Sequence, residues 1–261
     1  MERITSRQND LVQNIAALGA DASLRRSQHQ CVLEGLKLAR EAVRLGYRLD
    51  CLCLTEEAQR RFEGQIPVTH AGRCVLVTEA VLDRITTQPS PDGVVSVVTT
   101  PQPKSPDYHE ARRLVMLCGV QDPVNVGAII RTAAALGFDG VLTDTACADA
   151  FSPRALRAGM GASLSLVPVR CDDPHRTVQE LKDAGHTLVA SAVCADSVQE
   201  AALGCCASLT LLIGSEGRGL EQDLVARCDS VVRIPTTGRV ESLNAAAAAA
   251  ILMWMARPAL E

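Results

Sequence analysis

The sequence is short of several things, and each shortage excludes a class of protein. No stretch of its 261 residues reaches the ~20 consecutive apolar residues that a membrane-spanning helix requires. The opening residues, MERITSRQND, are polar and lack the apolar centre of a secretory signal, so a cytoplasmic address away from membranes is expected. There are 11 cysteines, yet the close pairs are Cys51 with Cys53 and the adjacent Cys205 and Cys206, and neither has the CxxC spacing of a metal site. No metal is expected. Cys51, Cys53, Cys118 and Cys194 sit in apolar, strand-like contexts and read as small buried hydrophobes rather than as disulfide partners. Lysine is scarce: Lys37, Lys104 and Lys182 are the only three, and arginine makes up the rest of the 26 basic residues. Arginine is the better residue for bidentate phosphate contacts and base stacking, although a genomic bias in composition explains the preference equally well. The net charge of -4 supplies no global attraction to a polyanion, so any such binding must come from local patches. The phosphate-cradling pattern GxxxxGK[ST] is missing. So is GxGxxG with a helix and a downstream ribose-binding acid, which argues against a nucleotide-dependent oxidoreductase.

What is present has a clear order. At 47% hydrophobic the chain can bury one large core or two modest ones, and two domains are the better expectation. From Leu11 to Gly46 the pattern reads as helical, with Val32, Leu33, Leu36, Ala39 and Val43 at helical spacing and Gly46 placed to end the run. The opposite face carries Lys37, Arg40 and Arg44, with Arg48 just beyond, either a track for a phosphate backbone or an ordinary solvated face. Short alternating runs follow, LDCLCLT, CVLVTEAVLDRIT and GVVSVVTT, and make residues 1–100 a small α/β module. The proline-broken segment 101–110 reads as an exposed linker. In residues 111–261 strands and helices alternate, from RLVMLCGV and VGAIIRTAAALG to SLTLLIG and SVVRIP. That rhythm predicts a parallel, doubly wound sheet. The final helix, NAAAAAAILMWMA, offers an alanine face to the sheet or to a second subunit.

Three corners carry the chemistry. In the first, CGVQDPVNVGAIIRTAAALG, a buried strand runs through Asp122, Pro123, Asn125 and Gly127 into a helix. There Arg131, one turn further in, interrupts apolar neighbours. It either faces a ligand or pairs with a carboxylate such as Glu216. The second is LLIGSEGRGL, Leu211 to Leu220, a buried strand ending in three glycines that permit a backbone path closed to other residues. The third is IPTTGRVESLN, in which Ser242 and Asn244 suit a helix cap. Three corners of glycine and polar groups exceed what a packed core requires.

In order and spacing, NxGAIIRTAxALG, LLIGSEGRGL and IPxxGxxxSLNxAxAxAI resemble the three motifs of the SpoU (TrmH) family of RNA ribose 2'-O-methyltransferases, within the SPOUT superfamily. The resemblance covers roughly Leu114 to Ala256 and includes Phe151 to Val169. The amino-terminal half, through ITSRQN, VLEGLKLAREA and PDGVVSVV, resembles the ribosomal-protein-like RNA-binding module often fused to that domain. The resemblance implies a parallel-sheet α/β domain tied in a trefoil knot, a dimer built partly by the last helix, and S-adenosylmethionine as cofactor. It implies cofactor contacts from Gly214, Ile234 and Leu243, a catalytic role for Arg131, and polar surroundings from Asn125, Glu216, Ser242 and Asn244. An arginine keeps its proton to above pH ~12, which favours an anchor for phosphate or for a developing oxyanion over a base. Where the family often continues SLN with Val-Ser, this chain has Ala245-Ala246. For RNA docking the candidates are Arg7, Arg25, Arg26 and Lys37. Ribosomal RNA is expected as substrate ahead of transfer RNA, through analogy of fold. A non-catalytic RNA-binding protein of the same fold is the alternative from another class.

Overall fold

A computed structural model of the chain describes residues 1–191 and 200–258. Cys194 and the end of the run TLVASAV lie outside the described residues. Two compact units emerge, one of Met1–Gln102 joined by Asp149–Ser165, the other of Pro103–Ala148 and the chain from Leu166 onward. The break at Gln102 falls inside the proline-broken segment. Residues 149–165, expected to belong with the second half, instead pack into the first unit.

In chain order the first unit contains β1 (Glu2–Ile4), α1 (Asp10–Ala20), α2 (Ala22–Gln28), β2 (Gln30–Glu34), α3 (Leu36–Arg44), β3 (Leu49–Leu54), α4 (Glu56–Arg61), β4 (Ala71–Val77), α5 (Glu79–Ile85) and β5 (Val94–Thr99). The sheet order is β1-β4-β3-β5-β2, with β5 antiparallel to both of its neighbours. Side-chain alternation gives this sheet two buried faces. Val32, Cys51, Cys53, Val95 and Val97 pack against α1 and α5. Cys31, Leu33, Leu52, Leu54, Val94 and Val98 pack against α3 and α4, together with Leu156 and Leu164 from the inserted segment.

Two expectations are corrected here. The helical reading of Val32 and Leu33 fails, because both belong to strand β2 and only Leu36 onward is helix. Gly35, at φ +102, turns the chain between them, so two different elements happened to share one spacing. Arg25, a candidate for RNA docking, is 5% exposed and fully engaged. Its Nε donates to Asp149 at 2.6 Å, and Nη1 donates to the carbonyls of Leu18 at 2.5 Å and Gly19 at 3.1 Å. A buried guanidinium satisfied in this way holds the inserted segment to the first unit and is closed to a ligand.

The second unit begins with β6 (Arg113–Cys118), α6 (Pro123–Ala135) and β7 (Gly140–Thr143); α7 (Pro153–Ala158) lies in the inserted segment of the first unit. Then come β8 (Val169–Arg170), α8 (Pro174–Asp183), β9 (Thr187–Ser191), β10 (Leu209–Gly214), α9 (Gln222–Arg227), β11 (Ser230–Val232) and α10 (Ala245–Ala256). The sheet is parallel throughout, in the order β11-β9-β10-β6-β7-β8. One face packs on α8 and α9 through Leu114, Met116, Leu188 and Leu212. Helix α10 packs on α6 and β10. The chain moves outward from β6 to β8, crosses to β9 on the other side, and then fills the gap between them with β10. Strand order therefore reverses beside β10, and ligands of open α/β sheets bind where the carboxyl ends of the strands meet such a reversal. Buried in this unit's core, His186 lies between the Tyr108 carbonyl and the Thr210 hydroxyl, and desolvation holds its imidazole below the usual range.

Arg25→Ala should destabilise the protein by about 3–5 kcal/mol, the usual cost of stranding a buried partner charge. The exposed change Arg26→Ala should stay within about 0.5 kcal/mol. Denaturant melts of the two variants make the comparison, and equal midpoints would remove the structural role given to Arg25.

Candidate functional site

The carboxyl ends of β9, β10 and β11 open into a cavity of about 710 Å3. Its lining includes Ser191, Ile213 with the whole turn Gly214 to Leu220, Val232 to Ile234, and Glu241 to Leu243. Two of the three corners singled out in the sequence thus form its walls. Gly214 is required by the turn itself. Ser215 and Gly219 bond to each other through their backbones, and a Cβ on Gly214 would lie 2.3 Å from the Gly219 carbonyl carbon. Ile234, Leu243 and Ser242 all line the same space.

The first corner reaches these walls through a side chain. Asp122 caps α6, accepting from the Val124 amide at 3.0 Å, and Pro123 fills the first helical position, where no amide donor is needed. This start puts Asn125, 5% exposed, in the first turn facing the other two corners. Its amide nitrogen donates to Glu216 Oε1. Its oxygen accepts from Asn244 Nδ2 at 2.9 Å. Asn244 in turn caps α10, accepting from the amides of Ala246 and Ala247 at 2.9 and 3.2 Å. Asn125, Glu216 and Asn244, far apart in sequence, are therefore one hydrogen-bonded set. Of the two residues suited to cap α10 only Asn244 does so, and Ser242 is exposed at the cavity.

Arg131 stands elsewhere. Helix α6 begins at Pro123, so Arg131 lies two turns in, about 12 Å along the axis from the helix start, rather than one. Its side chain is exposed, and the Glu216 carboxylate considered as its partner is held by Asn125. At the end of β6, Cys118 is buried, and desolvation pushes its thiol well above the usual range. It is a packing residue there, not a nucleophile. Among the described residues no cluster of three or more His, Cys, Asp or Glu side chains is placed to hold a metal ion. In the first unit, Arg26 and Lys37 are exposed, while the exposed Arg7 donates from Nε to the Ala80 carbonyl at 2.7 Å.

The chain matches the SpoU rRNA Methylase family model over residues 112–254. It belongs to that family. Residues 9–96 match an MRM3-like substrate binding domain. The chain is 30% identical, over 259 residues, to the 23S rRNA (guanosine(2553)-2'-O)-methyltransferase RlmP of Bacillus subtilis, covering 98% of this chain and 100% of that one. Among solved structures, the AdoMet-bound rRNA methyltransferase from Sinorhizobium meliloti superposes with a TM-score of 0.82 at 31% identity, covering 98% of this chain and 97% of that one. The SpoU methyltransferase AviRb from Streptomyces viridochromogenes, in complex with AdoMet, also gives 0.82, at 27% identity, covering 95% and 97%.

SpoU motifs explain the corners, but other residues at the cavity were not legible in sequence. Ser191, Gln222 and Arg233 line it with no local signal beyond polarity near a strand or helix end. Changing Gly214 to alanine should reopen the Ser215–Gly219 turn and weaken S-adenosylmethionine binding at least tenfold, with the circular dichroism of the folded protein retained. Calorimetry decides it, and an unchanged Kd would show that the turn does not shape the cavity.

Proposed function

We propose that this SpoU-family protein transfers a methyl group from S-adenosylmethionine to a ribose 2'-hydroxyl of RNA, with ribosomal RNA the favoured substrate. The observation that carries the reading is the cavity beside the strand reversal, whose wall residue Glu216 is bonded through Asn125 to Asn244. Its size suits a cofactor. Apolar walls such as Ile213, Val232 and Leu252 suit an adenine ring, and the glycine turn, which lines the same cavity, would supply backbone polar atoms to it. The similarity to RlmP and to two AdoMet-bound enzymes supports both the substrate and the cofactor.

Gly214, Ile234 and Leu243 would hold the cofactor, which supplies an electrophilic methyl group on a sulfonium. The chain's own work is to align the 2'-oxygen, exclude water and manage one proton. The Asn125–Glu216–Asn244 set fixes the two loops that wall the cavity, and Ser242 adds a hydroxyl at its edge. Arg131 is a donor only. It anchors RNA phosphate or stabilises the oxyanion as it forms, and the proton leaves to phosphate or water.

The same reading includes a homodimer, a trefoil knot at the glycine turn and the loop before α10, and a cytoplasmic address suited to an RNA substrate. For the dimer, the support is an apolar face on the two packed helices. Ile251 and Trp254 on α10 are 40% and 53% exposed, and Val124 on α6 is 41% exposed. Arg131 is seven residues after Val124, on the same side of α6, so it stands within this face, where a second copy would complete the site. Arg26 and Lys37 remain exposed candidates for RNA docking.

Radiolabelled methyl transfer to total RNA should give label that maps to a ribose and disappears when the mapped position carries a 2'-deoxy nucleotide. In the same assay Arg131→Ala should keep cofactor affinity and lose at least a hundredfold in turnover. Label retained on the deoxy substrate, or full turnover by the variant, would overturn the mechanism. Sedimentation equilibrium should give a dimer that becomes monomeric on Ile251→Glu with Trp254→Glu; a monomeric parent protein would refute the interface.

A further inference from the structure

The turn after β10 carries an arginine that the mechanism above does not use. Its mount is fixed. The Ser215 amide donates to the Gly219 carbonyl at 3.1 Å and the Gly219 amide returns a bond to Ser215 at 2.9 Å. Ser215 Oγ accepts from the Arg218 amide at 3.2 Å. Gly219 closes the turn at φ +67, a conformation open to glycine at little cost. The side chain on this mount is not spent: Arg218 is exposed on the cavity wall. Among the described residues its guanidinium has no hydrogen-bond or ion-pair partner. A fixed backbone presenting an unpaired guanidinium to a cavity is arranged to receive an anion.

The position on the rim says which anion. The deep walls of the cavity, Ile213, Val232 and Leu252, are buried and apolar, whereas Glu216 to Gly219 are exposed. A macromolecular ligand has to cross that rim to bring a ribose to the cavity. In RNA the ribose carbon next to the one bearing the 2'-hydroxyl carries the 3'-phosphodiester, so one anion always accompanies the reacting oxygen. Arg233, also exposed on the lining, places a second guanidinium on the same cavity.

We propose that Arg218 binds the phosphodiester adjoining the ribose that is methylated, with Arg233 as a second cation beside it. This rests on the methyltransferase reading. The test compares Arg218→Gln and Arg218→Lys with Arg176→Gln, a surface change on α8 outside the cavity lining. Three quantities are measured: the Kd for S-adenosylmethionine without RNA, the KM for RNA, and the dependence of RNA affinity on salt.

For Arg218→Gln the expected result is an unchanged cofactor Kd and a KM for RNA raised about tenfold or more, as for loss of a charge-assisted contact. The salt slope should be shallower by about 0.7, the contribution of one single-strand phosphate contact. Lysine should restore the slope but not the full KM, since it keeps the charge and loses the planar fork. Arg176→Gln should match the parent protein. A weakened cofactor Kd would assign the guanidinium to the cofactor's carboxylate and overturn the proposal. Unchanged KM and salt slope would overturn it as well. The two readings fail separately: a parent protein that binds RNA through Arg218 but transfers no methyl group loses the methyltransferase reading and the placing of that phosphate beside a methylated ribose, while the RNA contact itself stands. One that transfers methyl groups with RNA affinity indifferent to Arg218 loses only this contact.

Discussion

The second unit depends on a single buried amide. Asn125 is almost wholly enclosed, so its donor and its acceptor must both find partners or cost the fold a desolvated polar group. They find Glu216 on one side and Asn244 on the other. That requirement ties the glycine turn and the start of α10 to the first turn of α6. It is also why the cavity has defined walls: two loops free to wander on their own are held against a helix that is itself capped and packed. A side-chain amide suits the position because it offers both hydrogen-bond functions from one planar group. An aspartate would repel Glu216, and a leucine would leave two polar partners unsatisfied.

The arginines show the same economy of satisfaction. Where the chain buries a guanidinium it surrounds it with acceptors. Arg25 meets a carboxylate and two carbonyls, and Arg113 donates to the carbonyls of Ala256, Arg112 and Ala207, joining the start of β6 to the end of α10. Exposed arginines are of two kinds: some pair with surface carboxylates, as Arg44 does with Glu41 and Arg73 with Glu2, and others have no ion pair among the described residues. Arg131 and Arg218 fall in that second class. One stands on the side of α6 that carries the exposed Val124, the other on a stiff turn at the cavity. Positive charge in this chain is therefore local in its action, as a net charge of -4 requires.

Local chemistry was legible in the sequence wherever one segment sufficed to specify it. The run LLIGSEGRGL announces a buried strand and a tight turn, and the turn's steric need for Gly214 is visible once Gly219 folds back on it. Parallel strands were legible from their unbroken apolar character, as in RLVMLC. What depended on distant partners was not. Arg25 looked like a surface charge because the acid that buries it is 124 residues away. Val32 and Leu33 looked helical because spacing alone does not register the turn at Gly35. The bonds of Asn125 span 91 and 119 residues, and family motifs named those residues without revealing that they touch.

The inserted segment bears on how this protein is made. Leu156 and Leu164 belong to the core under α3, and Asp149 neutralises the buried Arg25. Residues 1–102 thus leave the ribosome with an unfinished core and a buried cation awaiting its counter-ion. Translation at ~5–20 residues per second delivers the missing pieces only several seconds later, after β6, α6 and β7 have been synthesised. Folding of the two units is therefore interleaved in time: the amino-terminal unit waits on a piece encoded within its neighbour, and nascent chains stalled before Ser165 expose an apolar sheet face that chaperones would recognise.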